Sequence, residues 1–147
     1  MDKFVNMRQK KTIENLARRH VKDVKFDGET ISFLFDGKRL NYVAKSKKHC
    51  GWVGNWSRRG DVIYYDDDVP RRYLIPLLVH EGVEAYVAKK KRLDPMVDAH
   101  YVASQVEDKA LKTMRINPKH YSWQIERIYR VEMPKDKRKG GGKKVQQ

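Results

Sequence analysis

Val79-His80-Glu81-Gly82-Val83-Glu84-Ala85 sets a histidine and a carboxylate four residues apart, and His100 lies sixteen residues beyond Glu84. On a helix, His80 and Glu84 project from one face, one turn apart. Glu81 stands about 100° round from His80, beside the pair rather than within it. Two imidazoles and a carboxylate, His80, Glu84 and His100, are ligand types for zinc or another divalent metal. An adjacent carboxylate, Glu81, is the type of group that takes a proton from a water at such a site.

Two helices must hold these residues. From Arg71 to Lys91, Leu74, Leu77, Leu78, Val83 and Val87 mark a largely buried helix, with Pro76 as a kink or a later start. Pro70 suits its first turn, and Asp66-Asp67-Asp68 reads as the capping turn before it rather than as a cation loop. After Arg92-Leu93-Asp94 a second helix runs from Pro95 to about Met114, with Val102, Val106, Ala110 and Leu111 inward. Asn117-Pro118 ends it. A last helix over about 119–132 carries Tyr121, Trp123, Ile125, Ile128 and Tyr129.

The earlier half reads differently. Residues 8–21 form a short amphipathic helix, and Asp27-Gly28 and Asp36-Gly37 mark tight turns. Thr30–Phe35 and Arg39–Ala44 are hairpin strands, 45–60 is a loop or an irregular strand, and Asp61–Tyr65 is a further strand. The order predicts an α+β fold, a small antiparallel sheet with helices on one side. Residues 1–133 form one domain, and 134–147, with Gly140-Gly141-Gly142, form a flexible basic tail.

A buried carboxylate is costly unless paired or metal-bound. Glu81, Glu84 and His80 therefore belong to a metal site, lie on a solvated stripe, or pair with Arg71, Arg72 and Lys89. The next helix favours the metal. His100 and Glu107 share a face interrupted only by Ala103, and an antiparallel packing of the two helices brings His100 opposite His80 and Glu84. Gly82, Ala85, Ala99 and Ala103 permit close approach. Convergence requires polar atoms of the three ligands within roughly 3–5 Å of one another. Glu81 should then face a cleft bordered by Val62–Tyr65, with Glu107 behind or beside His100.

The segment Asp61–Glu107 resembles the catalytic core of zincin-type metallopeptidases, in which a strand precedes a helix bearing His-Glu-x-x-His. It more closely resembles small proteins of archaea, phages and plasmids with His-Glu-x-x-Glu, Ala-His-x-x-Ala and a later Glu. Here these are His80–Glu84, Ala99–Ala103 and Glu107. The resemblance covers about a third of the chain and implies a zincin-like core and a metal-dependent, zinc hydrolase acting on a protein or peptide. By motif position His80 is a ligand and Glu81 the general base. Glu84 replaces the family's second His, with His100 restoring the two-His, one-carboxylate total. Glu107 is a fourth ligand or the acceptor for a ligand His. Tyr86 or Tyr101 is placed to stabilise an oxyanion.

The net charge of +14 is uneven. Residues 1–25 carry eight basic and three acidic side chains and 134–147 six and one, whereas 66–133 carry twelve and eleven. The excess is thus at the ends, and it means either solubility or attraction to polyanions. The second class of function is a non-enzymatic, basic nucleic-acid-binding protein of a virus, plasmid or archaeon on a zincin-like scaffold. Its phosphate contacts would be Lys135, Lys137, Arg138, Lys139, Lys143 and Lys144. Trp52, Trp56, Arg58 and Arg59 fit a single-strand-binding loop, or equally a loop packed by its own aromatics. His49-Cys50 has no spaced partner for a zinc knuckle. One cysteine, no signal-peptide core and no long apolar run predict a cytoplasmic protein with no membrane contact.

Overall fold

In the computed structural model, residues 3–48 and 52–132 are described; His49, Cys50 and the tail lysines and arginine Lys135, Lys137, Arg138, Lys139, Lys143 and Lys144 lie outside them. Helix α1 (Lys3–Ala17) is followed by β1 (Lys22–Phe26), β2 (Thr30–Phe35), β3 (Lys38–Lys47), β4 (Gly54–Trp56) and β5 (Val62–Asp66). Three helices complete the described residues: α2 (Arg71–Lys90), α3 (His100–Thr113) and α4 (Pro118–Glu132). The fold is α+β, and α2 covers one face of the sheet. No helix among the described residues is long and apolar enough to cross a membrane.

The Asp36-Gly37 pair closes the β2–β3 hairpin with φ of 53° and 72°. Positive φ at both positions matches the twist of the flanking strands. Strand β1 was not expected: Lys22-Asp23-Val24-Lys25-Phe26 is polar at most positions, and pairing to β2 decides its state. The sheet order is β1-β2-β3-β5-β4. The sheet is mostly antiparallel, as expected, with one parallel pairing, β5 beside β3. The chain passes from β3 to the edge strand β4 and returns as β5 between them, placing Ile63 in the buried centre.

Helix α2 is buried almost all round, from Tyr73 to Val87, and continues through Pro76. Its N-cap, Pro70, has no side-chain cap. Asp66 instead accepts from the Asp68 N–H at 2.8 Å, so the expected capping turn folds on itself. Of the last helix's aromatics, Tyr121 is buried as expected but Trp123 is 59% exposed, on the outward side of α4.

Gly82 sets the depth at which α2 meets the sheet. A Cβ there would come within 2.8 Å of Tyr42 Cε2 and 3.0 Å of Phe33 Cζ. The Tyr42 hydroxyl donates to the Gly82 carbonyl at 2.6 Å, and burial pushes the Tyr42 phenol well above its ordinary pKa, so it stays a donor. At the far end of α2, Asp36 accepts from the Tyr86 hydroxyl at 2.7 Å and pairs with Arg19 at 3.1 Å and Lys91 at 3.3 Å. Burial alone would raise the Asp36 pKa; the Tyr86 hydrogen bond, Lys91 and Arg19 outweigh it and hold the carboxyl below its usual range.

Gly82→Ala should destabilise the fold by about 1–3 kcal/mol, the cost of overpacking a close contact; a urea midpoint equal to wild type would show that the contact yields freely. Asp36 contributes a stabilisation present above its ordinary value of 3.8 and lost as pH falls through its lower folded value. Asp36→Asn should therefore be less stable than wild type at neutral pH, and the gap should close in acid. A pH-independent gap would refute the assignment.

Candidate metal centre

His80 and Glu84 occupy successive turns of α2, and the buried stripe of α3 brings His100 against them. His80 Nε2 lies 3.4 Å from Glu84 Oε2, and His100 Nδ1 lies 2.9 Å from the same oxygen. The two imidazole rings have centroids 5.0 Å apart at 66°. One ligand atom from each of the three lies within 4.8 Å of the others. Asp66, Asp67 and Asp68 are the only other such group among the described residues, and two of those are exposed.

The donor set fits a divalent ion. Two atoms about 2.1 Å from one tetrahedral centre stand about 3.4 Å apart, the separation between His80 Nε2 and Glu84 Oε2. The 2.9 Å contact is a hydrogen-bond distance, and His100 is half exposed and has room to turn. His80 and Glu84 are fixed more firmly. Glu84 is 1% exposed, and its other oxygen accepts from the Trp56 indole N–H at 2.8 Å. His80 Nδ1 lies 3.1 Å from Glu107 Oε1. The second Glu107 oxygen accepts from the Tyr121 hydroxyl. Burial, then the Glu107 carboxylate, raise the Tyr121 pKa well above its ordinary value, so the hydroxyl keeps its proton. A carboxylate at Nδ1 favours the tautomer that leaves the Nε2 lone pair towards Glu84.

Glu107 thus stands behind His80, not His100, and is outside the three-ligand group. Glu81, 2% exposed, lies on the wall of a cleft of about 540 Å³ that His80, His100, Glu107 and Tyr121 also line. The cleft is not bordered by Val62–Tyr65. Trp52, Val53 and Gly54 border it instead, because β4 lies outside β5. Gly54 makes room for the acid: a Cβ there would come within 3.1 Å of both Glu81 Cγ and Glu81 Oε2. Leu77 and, from α4, Ile125 and Tyr129 supply the apolar part of the wall.

Several expectations change. Tyr86 is bonded to Asp36, and Tyr101 is exposed and does not line the cleft, so neither is near an oxyanion position. Tyr121, read in the sequence only as a core aromatic, is the phenol at the site. Trp56 is 1% exposed and serves Glu84, so it is not a stacking residue for nucleic acid. No short-range pattern signals the Trp56–Glu84 contact, since the residues are 28 apart and on different elements. Of the cations considered for the carboxylates, Lys89 lies over the Trp56 ring and Arg72 over Tyr73.

Comparison with protein-family models, with curated proteins and with solved structures finds no match. The zincin likeness therefore rests on the residues and their convergence alone.

A double-mutant cycle between Trp56→Phe and Glu84→Gln should give a coupling of about 0.5–3 kcal/mol in urea unfolding, because removing the indole donor leaves a buried carboxylate oxygen short of a partner. Additive effects would mean that the indole does not support Glu84.

Proposed function

We propose that the protein is a metal-dependent hydrolase of zincin type, with zinc or a similar divalent ion held by His80, Glu84 and His100, acting on protein or peptide. The observation that carries this is the convergence of those three side chains, two of which, His80 and His100, line a cleft whose wall also holds Glu81. When bound, the ion would acidify a water and polarise a carbonyl. Glu81 would accept the water's proton and return it to the leaving amine. Glu107, steadied by Tyr121, holds His80 in the ligating tautomer, and Trp56 holds Glu84. A substrate would lie along the cleft wall that Trp52, Val53 and Gly54 form beside Glu81.

Calorimetric titration of the chelator-treated full chain with Zn2+ should give one site per chain. His100→Ala and His80→Ala should weaken binding by more than the ~10–100-fold expected for loss of a supporting residue. Glu81→Gln should keep the metal and lower peptide hydrolysis by about 10²–10⁴. Absence of stoichiometric binding by the wild type, or unchanged binding in both histidine variants, would end the metal reading. Hydrolysis that persists in Glu81→Gln would end its role as base.

A further inference from the structure

The face of the sheet turned away from α2 has no part in the metal centre. Along β3, Tyr42 and Ala44 point to the core, while Arg39, Asn41, Val43, Lys45 and Lys47 are exposed. The register carries that face across the sheet: Arg39 is opposite Leu34 and Lys45 is opposite Tyr64, and in β1 Lys25 is opposite Ser32 and Lys22 opposite Leu34. Five cations, Lys22, Lys25, Arg39, Lys45 and Lys47, therefore share the face. The acid within β1, Asp23, is paired with Arg39 and lies 3.7 Å from Lys25. Leu34 and Val43, two of the large apolar side chains the molecule leaves exposed, are on the same face.

The aromatic content is at the β5 side. Trp52 and Tyr64 have ring centroids 6.1 Å apart at 45°, and the Lys47 ammonium lies 4.2 Å from the Tyr64 centroid. Cations in rows about 7 Å apart along a strand, next to partly exposed rings, suit a chain of phosphates bearing flat bases. A duplex has its bases already stacked and offers the rings nothing. An acidic protein would use the cations and not the rings.

We propose that this open face binds single-stranded nucleic acid, with Lys45, Lys47 and their neighbours at the phosphates and the Tyr64–Trp52 pair under the bases. The site includes neither the metal ligands nor the basic segment beyond residue 133, and it meets the cleft of the metal centre only at Trp52. Of the stacking loop expected from the sequence it keeps Trp52 but not Trp56, whose indole is buried against Glu84.

The test uses the full chain and fluorescence anisotropy with a labelled thymidine oligonucleotide longer than the ~16 nucleotides such a surface spans, across a salt series. Lys45→Glu/Lys47→Glu should weaken binding at least about tenfold and lower the log–log salt slope by about 1.4, two single-strand phosphate contacts. Tyr64→Ala should weaken binding about fivefold or more, the loss of one stacked base. Lys10→Glu/Lys11→Glu, the same charge change on exposed positions of α1, should cost under about threefold, as should His80→Ala. All variants keep the C-terminal basic segment, so binding that resides there would leave the face variants equal to wild type and overturn the proposal. No binding by the wild type, equal losses in the α1 control, or a duplex or heparin bound as tightly as the single strand would overturn it as well.

Discussion

Glu84 is the group on which the centre of this protein depends. A carboxylate removed from water carries a penalty of several kcal/mol, and Glu84 sits in the middle of a helix packed on both sides. Its two oxygens take up the whole arrangement: one accepts the indole N–H of β4, and the other lies between two imidazoles, one from its own helix and one from α3. Sheet, central helix and second helix thus meet at one side chain. Hydrogen bonds to a charged group contribute about 1.5–3 kcal/mol each, so the contacts with the indole and His100 offset the burial while fixing where those neighbours stand.

The packing around Glu84 follows from the absence of two methyl groups. Gly82 lets α2 lie against Tyr42 and Phe33, and Gly54 lets β4 come up to Glu81. Without the first, α2 would ride higher on the sheet and the Trp56 indole would fall short of Glu84. Without the second, the Glu81 carboxylate would be displaced from the cleft wall. The polar chain Tyr121–Glu107–His80 then closes the side away from the sheet. Its first member, Tyr121, is on α4, the helix that also lines the cleft with Ile125 and Tyr129, and the Tyr121 ring meets Tyr73 edge-on at 5.5 Å.

Much of this was legible in the residue pattern, for identifiable reasons. Helical phase alone put His80 with Glu84 and His100 with Glu107, because 3.6-residue periodicity fixes which side chains share a face. The two Asp-Gly turns and the α2–α3 pairing were likewise local signals. The parallel β3–β5 pairing and the edge position of β4 were not. They depend on contacts between segments with no common pattern, and a three-residue strand such as Gly54-Asn55-Trp56 carries almost no periodicity of its own. Trp56 and Tyr121 were missed as site residues for a similar reason. Each is a large aromatic at a core position, and only the tertiary structure shows that its one polar atom faces a carboxylate.

Between α2 and α3 the chain does not enter its second helix directly. Residues Pro95–Ala99 wind as a π-helical turn, begun by the Asp94 side chain accepting from Met96 N–H at 2.8 Å and closed by Ala99 N–H on the Asp94 carbonyl at 2.9 Å. Such a turn holds one residue more than an α-turn. His100, Val102 and Val106 follow it on one continuous helix, so they keep a common phase. Rotating α3 by one residue would turn it by about 100°, taking Val102 and Val106 out of the core and His100 away from Glu84 together. The turn is therefore where the phase of the whole helix is set, and the metal ligand and the core share that one setting.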